Sequence, residues 1–235
     1  MIRITHYIPN TLTCLNLFSG CVASVMAFQA DYRGAFLFII ISAVFDFLDG
    51  MAARLLKAYS PIGKDLDSLA DDVSFGLAPS VIVFSLLRGM DYPSYLSGVA
   101  SFIPYLAFII AVFSALRLAR FNNDNRQTHS FIGLPVPANA LFWASLVTGI
   151  HSCSQINTPH TPYIIVLLIG LFSWLLVSNI PMFSLKFKNL SWKDNKVSFI
   201  FLLVCIPLLW IFGILSFAII IVWYILLSLF TSKRE

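Results

Sequence analysis

At 235 residues, 59% hydrophobic and only 11% charged, with a mean hydropathy of +0.86, the chain is too apolar for a soluble domain and belongs in a bilayer. The net charge of +4 is small, and no nucleic-acid partner is expected. Cys14, Cys21, Cys153 and Cys205 are scattered through apolar segments without a C-x-x-C spacing, which excludes a zinc ribbon and suits small core residues.

The N-terminus has no short apolar stretch ending in a small-residue cleavage site, so the first apolar run reads as a permanent span. A span needs roughly 17–25 residues. On that measure eight are predicted, at about 11–30, 34–57, 65–88, 97–120, 136–153, 162–180, 196–213 and 214–231. The last two form one apolar run divided at Gly213; a single tilted helix with a buried remainder is the alternative. The longest loops fall at about 121–135 and 181–195. With a cytoplasmic N-terminus, thirteen of the fifteen basic residues lie inside and only Arg33 and Arg88 outside. Both termini are then cytoplasmic. The chain reads as a single transmembrane domain over 1–235, all-α and polytopic, with short loops and no internal repeat.

Six of the eleven acidic residues fall between Asp46 and Asp72, across the junction of the second and third spans. Asp46 and Asp49 are three apart, and Asp67 and Asp71 four apart, so each pair projects from one helix face. The connector, with Ser60, Pro61 and Gly63, is short enough to make the two helices antiparallel neighbours. Four carboxylates then converge near the cytoplasmic interface, where their repulsion demands cations. Oxygen ligands in that number suit Mg²⁺ or Mn²⁺, and two such ions form the usual clamp for displacement at phosphorus. Gly50 and Ala53 remove bulk beside the carboxylates, and Arg54 can offer a fork of donors to phosphate oxygens. Taken singly, these three also suit helix packing or snorkelling. Asp72 points about 100° away from Asp71 and stays outside the group.

The run D-x-x-D-G-x-x-A-R-x8-G-x-x-x-D-x-x-x-D is complete from Asp46 to Asp71 and resembles the signature of the CDP-alcohol phosphotransferases. That resemblance implies a helical-bundle membrane enzyme that moves a phosphatidyl or similar group from a CDP-alcohol to a second alcohol, releasing CMP. By the same resemblance Asp46, Asp49, Asp67 and Asp71 bind two divalent metals, and Asp71 serves as general base. Gly50, Ala53, Arg54, Ser60 and Gly63 form the side that meets the CDP-alcohol.

Further segments, PNTLTCLNLFSG at 9–20, DSLADDVSFGLAPS at 67–80, RLARFN at 117–122 and GLPVPANA at 133–140, resemble the integral-membrane bacterial and archaeal phosphatidylserine synthases. The resemblance covers a motif-bearing core at about 9–140; the spans at about 141–231 share only architecture. It implies CDP-diacylglycerol and L-serine as substrates, a homodimer, and residence in the cytoplasmic membrane of a prokaryote. Serine carries a carboxylate, so its pocket calls for a fixed cation. Arg117 or Arg120, beside Asn122, can supply it, and both equally suit positive-inside anchoring. Pro135 and Pro137 end a loop and start the fifth span.

His6, His129, His151 and His160 share no metal-ligand spacing, and none sits in an H-x-K-x4-D pattern. Glycerol 3-phosphate or inositol phosphate in place of serine keeps the same chemistry. A cation-coupled transporter is the alternative of another class, since intramembrane carboxylates also mark ion paths.

Overall fold

The computed structural model of the protein describes residues 7–93, 95, 98–123, 131–152, 160–182 and 195–232. His6, His129 and Cys153 lie outside these residues. Helix α1 (Tyr7–Phe28) turns sharply into α2 (Tyr32–Leu55). The turn is built by Ala30 in the left-handed region (φ 58°) and by Asp31, whose side chain accepts the Gly34 N–H at 2.9 Å as an N-cap. Lys57, at φ 49°, marks the end of the α2 segment. Ser60 then caps α3 (Pro61–Asp71), accepting the Gly63 N–H at 3.0 Å with Pro61 in the first turn.

Helix α3 does not stop at Asp71. It passes through a π-helical turn at Asp72–Leu77 into α4 (Ala78–Arg88), with the Ala78 N–H reaching back five residues to the Val73 carbonyl. The whole run Pro61–Arg88 is the most enclosed of the apolar helices: 67% of its most apolar stretch is buried, against 17–33% in the other long ones. It forms the axis of the bundle. Val81, Ile82, Val83 and Leu87 sit in the core with Ile39 of α2. At Gly20 of α1 a β-carbon would lie 2.6 Å from the Ser74 Cα, so α1 can lie against the π turn only without a side chain there.

A short 3₁₀ segment (Ile103–Phe108) leads into α5 (Ile109–Asn123), which begins well after the predicted residue 97. Helix α6 spans Val136–Ser152, with Pro137 in its first turn and Pro135 just ahead of it, as the paired prolines predicted. Helix α7 is Thr161–Val177, three residues shorter at its end than expected. Between them the structure adds an element that the all-helical reading did not contain. Strand β1 (Phe131–Ile132) pairs antiparallel with β2 (Pro181–Met182). Gly133, at φ +75°, follows β1, and a β-carbon there would lie 2.7 Å from the Leu176 carbonyl oxygen. The Gly133 N–H donates to the Ile180 carbonyl at 2.9 Å and that of Leu134 to the Leu175 carbonyl at 3.0 Å. The segment before α6 is thereby stitched to the end of α7.

Helix α8 (Lys196–Phe212) ends at Gly213, whose φ of +54° opens a 3₁₀ turn (Gly213–Leu215) into α9 (Ser216–Ser232). The two helices fold back on each other: the rings of Phe201 and Tyr224 are 6.1 Å apart. A straight helix would hold those residues about 35 Å apart. The division at Gly213 is therefore real, and the single tilted helix is ruled out. By length and composition alone, five helical stretches are capable of crossing a membrane, the α8–α9 run counting as one. The shorter α7 is also strongly apolar.

Candidate active site

The α2–α3 hairpin brings the two aspartate pairs together as their spacing predicted. Oxygens of Asp46, Asp49 and Asp67 all lie within 4.8 Å of one another. Asp71 stands beside this group, close enough for the charges of Asp46, Asp67 and Asp49 to act on it. Asp72 is not part of it. Its carboxylate lies over Gly76, where a β-carbon would be 2.9 Å from Oδ1.

Helix α1 supplies the support. The Thr13 hydroxyl donates to Asp49 Oδ2 at 2.6 Å, and Asn16 Nδ2 donates to Asp71 Oδ1 at 3.2 Å. Asn16 is itself held by its carbonyl, which accepts from Ser42 at 3.2 Å and Ser74 at 3.0 Å. These bonds join α1, α2 and the π turn around the carboxylates. Asp49 is only 5% exposed, and Asp67 Oδ1 is buried with no hydrogen-bond partner among the described residues. A buried carboxylate oxygen in that condition, beside two like charges, is costly unless a cation meets it. An all-carboxylate donor set fits a hard divalent ion.

A cavity of about 330 Å³ opens beside the carboxylates. Asp49 and Asp67 form one part of its wall, and Gly50, Ala53, Arg54, Ser60 and Gly63 all line it. The two glycines do different jobs. A β-carbon built at Gly50 would meet nothing within 4 Å, so this glycine keeps space open and is not a packing contact. At Gly63 a β-carbon would fall 2.9 Å from Ser60 Oγ and 3.0 Å from Asn10 Oδ1, so its smallness admits the cap and the neighbouring helix. Ser60 Oγ accepts a backbone N–H and keeps its own O–H as a donor. Asp46 and Asp71 are not in the wall of this cavity.

Pro9, Asn10, Thr13, Tyr59 and Lys64 also line the cavity and had no role from the sequence. Asn10, Thr13 and Asn16 recur every third residue in an otherwise apolar helix, a polar stripe that periodicity could have exposed.

The three residues expected at an acceptor pocket have separate surroundings. Arg117 is 7% exposed; its Nε donates to the Leu134 carbonyl at 2.8 Å and its guanidinium lies 5.4 Å from the Phe121 ring centre. It is within electrostatic reach of Asp71. Arg120 is exposed and donates to the Val177 carbonyl at 2.8 Å, at the negative end of α7. Asn122 Nδ2 donates to Ser68 Oγ at 2.8 Å, tying α5 to α3. Of the three, Arg117 is the one buried beside the carboxylates.

Among the histidines, His151 stacks edge-on against Tyr32 at 4.8 Å and His160 precedes α7, so neither sits at the site. Cys14, Cys21 and Cys205 are free thiols.

The family model for CDP-alcohol phosphatidyltransferase matches residues 6–174. The chain belongs to that family. Similar proteins carry the name CDP-diacylglycerol--serine O-phosphatidyltransferase. That of Helicobacter pylori (strain 26695) is 32% identical over 210 residues, covering 88% of this chain and 82% of that protein. The Methanocaldococcus jannaschii protein is 36% identical over 179 residues, 76% of this chain and 75% of its own length. That of Bacillus subtilis (strain 168) is 36% identical over 132 residues, 56% of this chain and 70% of the other. In this CDP-alcohol phosphatidyltransferase the matched part includes every residue of the carboxylate group and its cavity, while α8 and α9 lie beyond it. Membership of a transferase family sets the transporter reading aside.

Proposed function

We propose that this chain transfers the phosphatidyl group of CDP-diacylglycerol to L-serine, giving phosphatidylserine and CMP. The observation that carries the transfer chemistry is the cavity shared by Asp49, Asp67, Arg54 and the open face of Gly50. The choice of serine is supported by the names of the similar proteins, which agree on that acceptor.

In this reading Gly50 and Ala53 leave room for the nucleotide, and Arg54 and the Ser60 O–H hold oxygens of the diphosphate. Asp46, Asp49, Asp67 and Asp71 would hold two divalent cations, Mg²⁺ or Mn²⁺, which supply positive charge where negative charge gathers on the departing CMP. Asp71, oriented by Asn16, accepts the proton of the serine hydroxyl. The serine oxygen forms its bond to the phosphorus nearer the diacylglycerol as the bond from that phosphorus to CMP breaks. Arg117 receives the serine carboxylate; Arg120 and Asn122 stand behind it, bonded to α7 and α3.

The whole chain, 1–235, acts as one transmembrane catalytic domain. The distribution of basic residues supports a cytoplasmic site and two cytoplasmic termini in a prokaryotic cytoplasmic membrane. A homodimer is proposed from family resemblance alone. The test is CMP release from CDP-diacylglycerol by purified protein, offered serine, glycerol 3-phosphate and inositol phosphate in turn. Release with serine alone is the expected result. Release with glycerol 3-phosphate but none with serine overturns the assignment of the acceptor.

A further inference from the structure

The α8–α9 hairpin lies beyond the residues shared with the family, yet part of it reaches the interior. Helix α9 packs against α6 and β2, the strand stitched to the segment before α6. Within α9, Tyr224 is 8% exposed, its ring backed by Phe201 of α8 at 6.1 Å. The phenol lies within electrostatic reach of the Arg117 guanidinium, the same group that feels Asp71 from the other side.

Arg117 is unusual among the basic residues of this chain. Its Nε is committed to the Leu134 carbonyl, which fixes the plane of the guanidinium, and neither Nη makes a hydrogen bond to the described residues. Asp71 is close enough to act on it but is not paired with it. A buried cation held near a carboxylate without pairing favours an anion from outside. The two Nη groups offer a fork suited to a carboxylate, and a phenol O–H is a further donor of the kind a carboxylate oxygen accepts.

We propose that Tyr224 is a specificity-determining residue that joins Arg117 in holding the anionic end of the acceptor, so that the C-terminal hairpin completes the acceptor pocket. This rests on the serine-transfer reading above. With the carboxylate held by Arg117 and Tyr224, the hydroxyl of the same small molecule is directed towards Asp71. The pocket is then assembled from α5 and α3 of the shared core and from α9 outside it.

The test compares Tyr224→Phe with the unaltered enzyme, using serine and ethanolamine as acceptors. Ethanolamine has the hydroxyl and the ammonium but no carboxylate. Loss of the phenol O–H should raise the KM for serine about tenfold, with kcat, the KM for CDP-diacylglycerol and any slow ethanolamine reaction little changed. An unchanged KM for serine overturns the proposal, as does an equal loss with both acceptors, which would mark Tyr224 as a packing residue. Phe201→Leu disturbs the same packing but keeps the phenol, and should leave the KM for serine within about twofold. A larger rise than in Tyr224→Phe would also overturn the proposal. Should the unaltered enzyme use glycerol 3-phosphate in place of serine, the acceptor assignment fails by itself. Tyr224→Phe must then raise the KM for glycerol 3-phosphate, and an unchanged value overturns the role of Tyr224.

Discussion

Helices α1 and α2 and the pair α8 and α9 are all apolar enough to cross a membrane, and they are put to opposite uses. The α8–α9 run has the higher mean hydropathy, 2.7 against 1.6 and 2.0, yet the smallest buried share, 17%. That ordering would be wrong for a soluble protein. In a bilayer the lipid is itself the apolar solvent, so the most hydrophobic helix has least need of protein neighbours. Helix α1 instead buries Thr13, Asn16 and Ser19, and α2 buries Ser42 and Asp49. What separates a working membrane helix from a lipid-facing one here is the polar content of its protected face.

The sharpest way to break the comparison is at the carboxylates. Asp71→Asn keeps the size of the side chain and an oxygen for Asn16 to meet, but removes the base. Turnover should fall by about 10²–10⁴ while the protein remains in the membrane fraction. Retained CMP release would remove Asp71 from the chemistry and leave the polar face of α1 without its assigned purpose.

A pair of glycines in the same region sharpens the contrast between space and contact. Gly50→Ala points into open space, so thermal stability should be unchanged while the KM for CDP-diacylglycerol rises about tenfold. Gly20→Ala drives a methyl into Ser74 and should cost about 1–3 kcal/mol of stability, read as a lower Tm. The reverse pattern would make Gly50 the packing residue. The smallest effect belongs to the lipid-facing pair. Trp210 on α8 is 91% exposed, and Trp210→Ala should alter kcat and KM by less than about twofold, with stability within about 0.5 kcal/mol. A loss of activity there would show that this face of α8 is not simply lipid-facing.

The aspartates were legible from sequence because their effect is local: spacings of three and four fix a helix face, and a short capped connector fixes the neighbour. The same holds for Gly50, Arg54 and Ser60, which all reach the cavity from that one hairpin. Thr13 and Asn16 were missed because their partners lie 36 and 55 residues away, and spacing along one helix carries no record of such pairings. The β1–β2 ladder escaped for a like reason. Two-residue strands about fifty positions apart carry no alternation to read, and Gly133 alone hinted at a backbone that only glycine takes without strain. Gly213 was legible as a break but not as a reversal; the stacking of Phe201 on Tyr224 was needed to tell the two apart.

The π turn at Asp72–Leu77 acts as a phase shifter within one continuous helix. A π insertion advances the helix by the equivalent of one residue, about 100° of rotation, while the rod runs on almost unbroken. The segment before it can therefore aim Asp67 and Asp71 at α1 and α2, and the segment after it can aim Val81, Ile82 and Leu87 at the core, without either face compromising the other. One rod carries two independently set faces. A single-residue deletion within the turn would leave a better α-helix and a chain that still spans the membrane, but with the aspartates and the core no longer addressed to their proper neighbours.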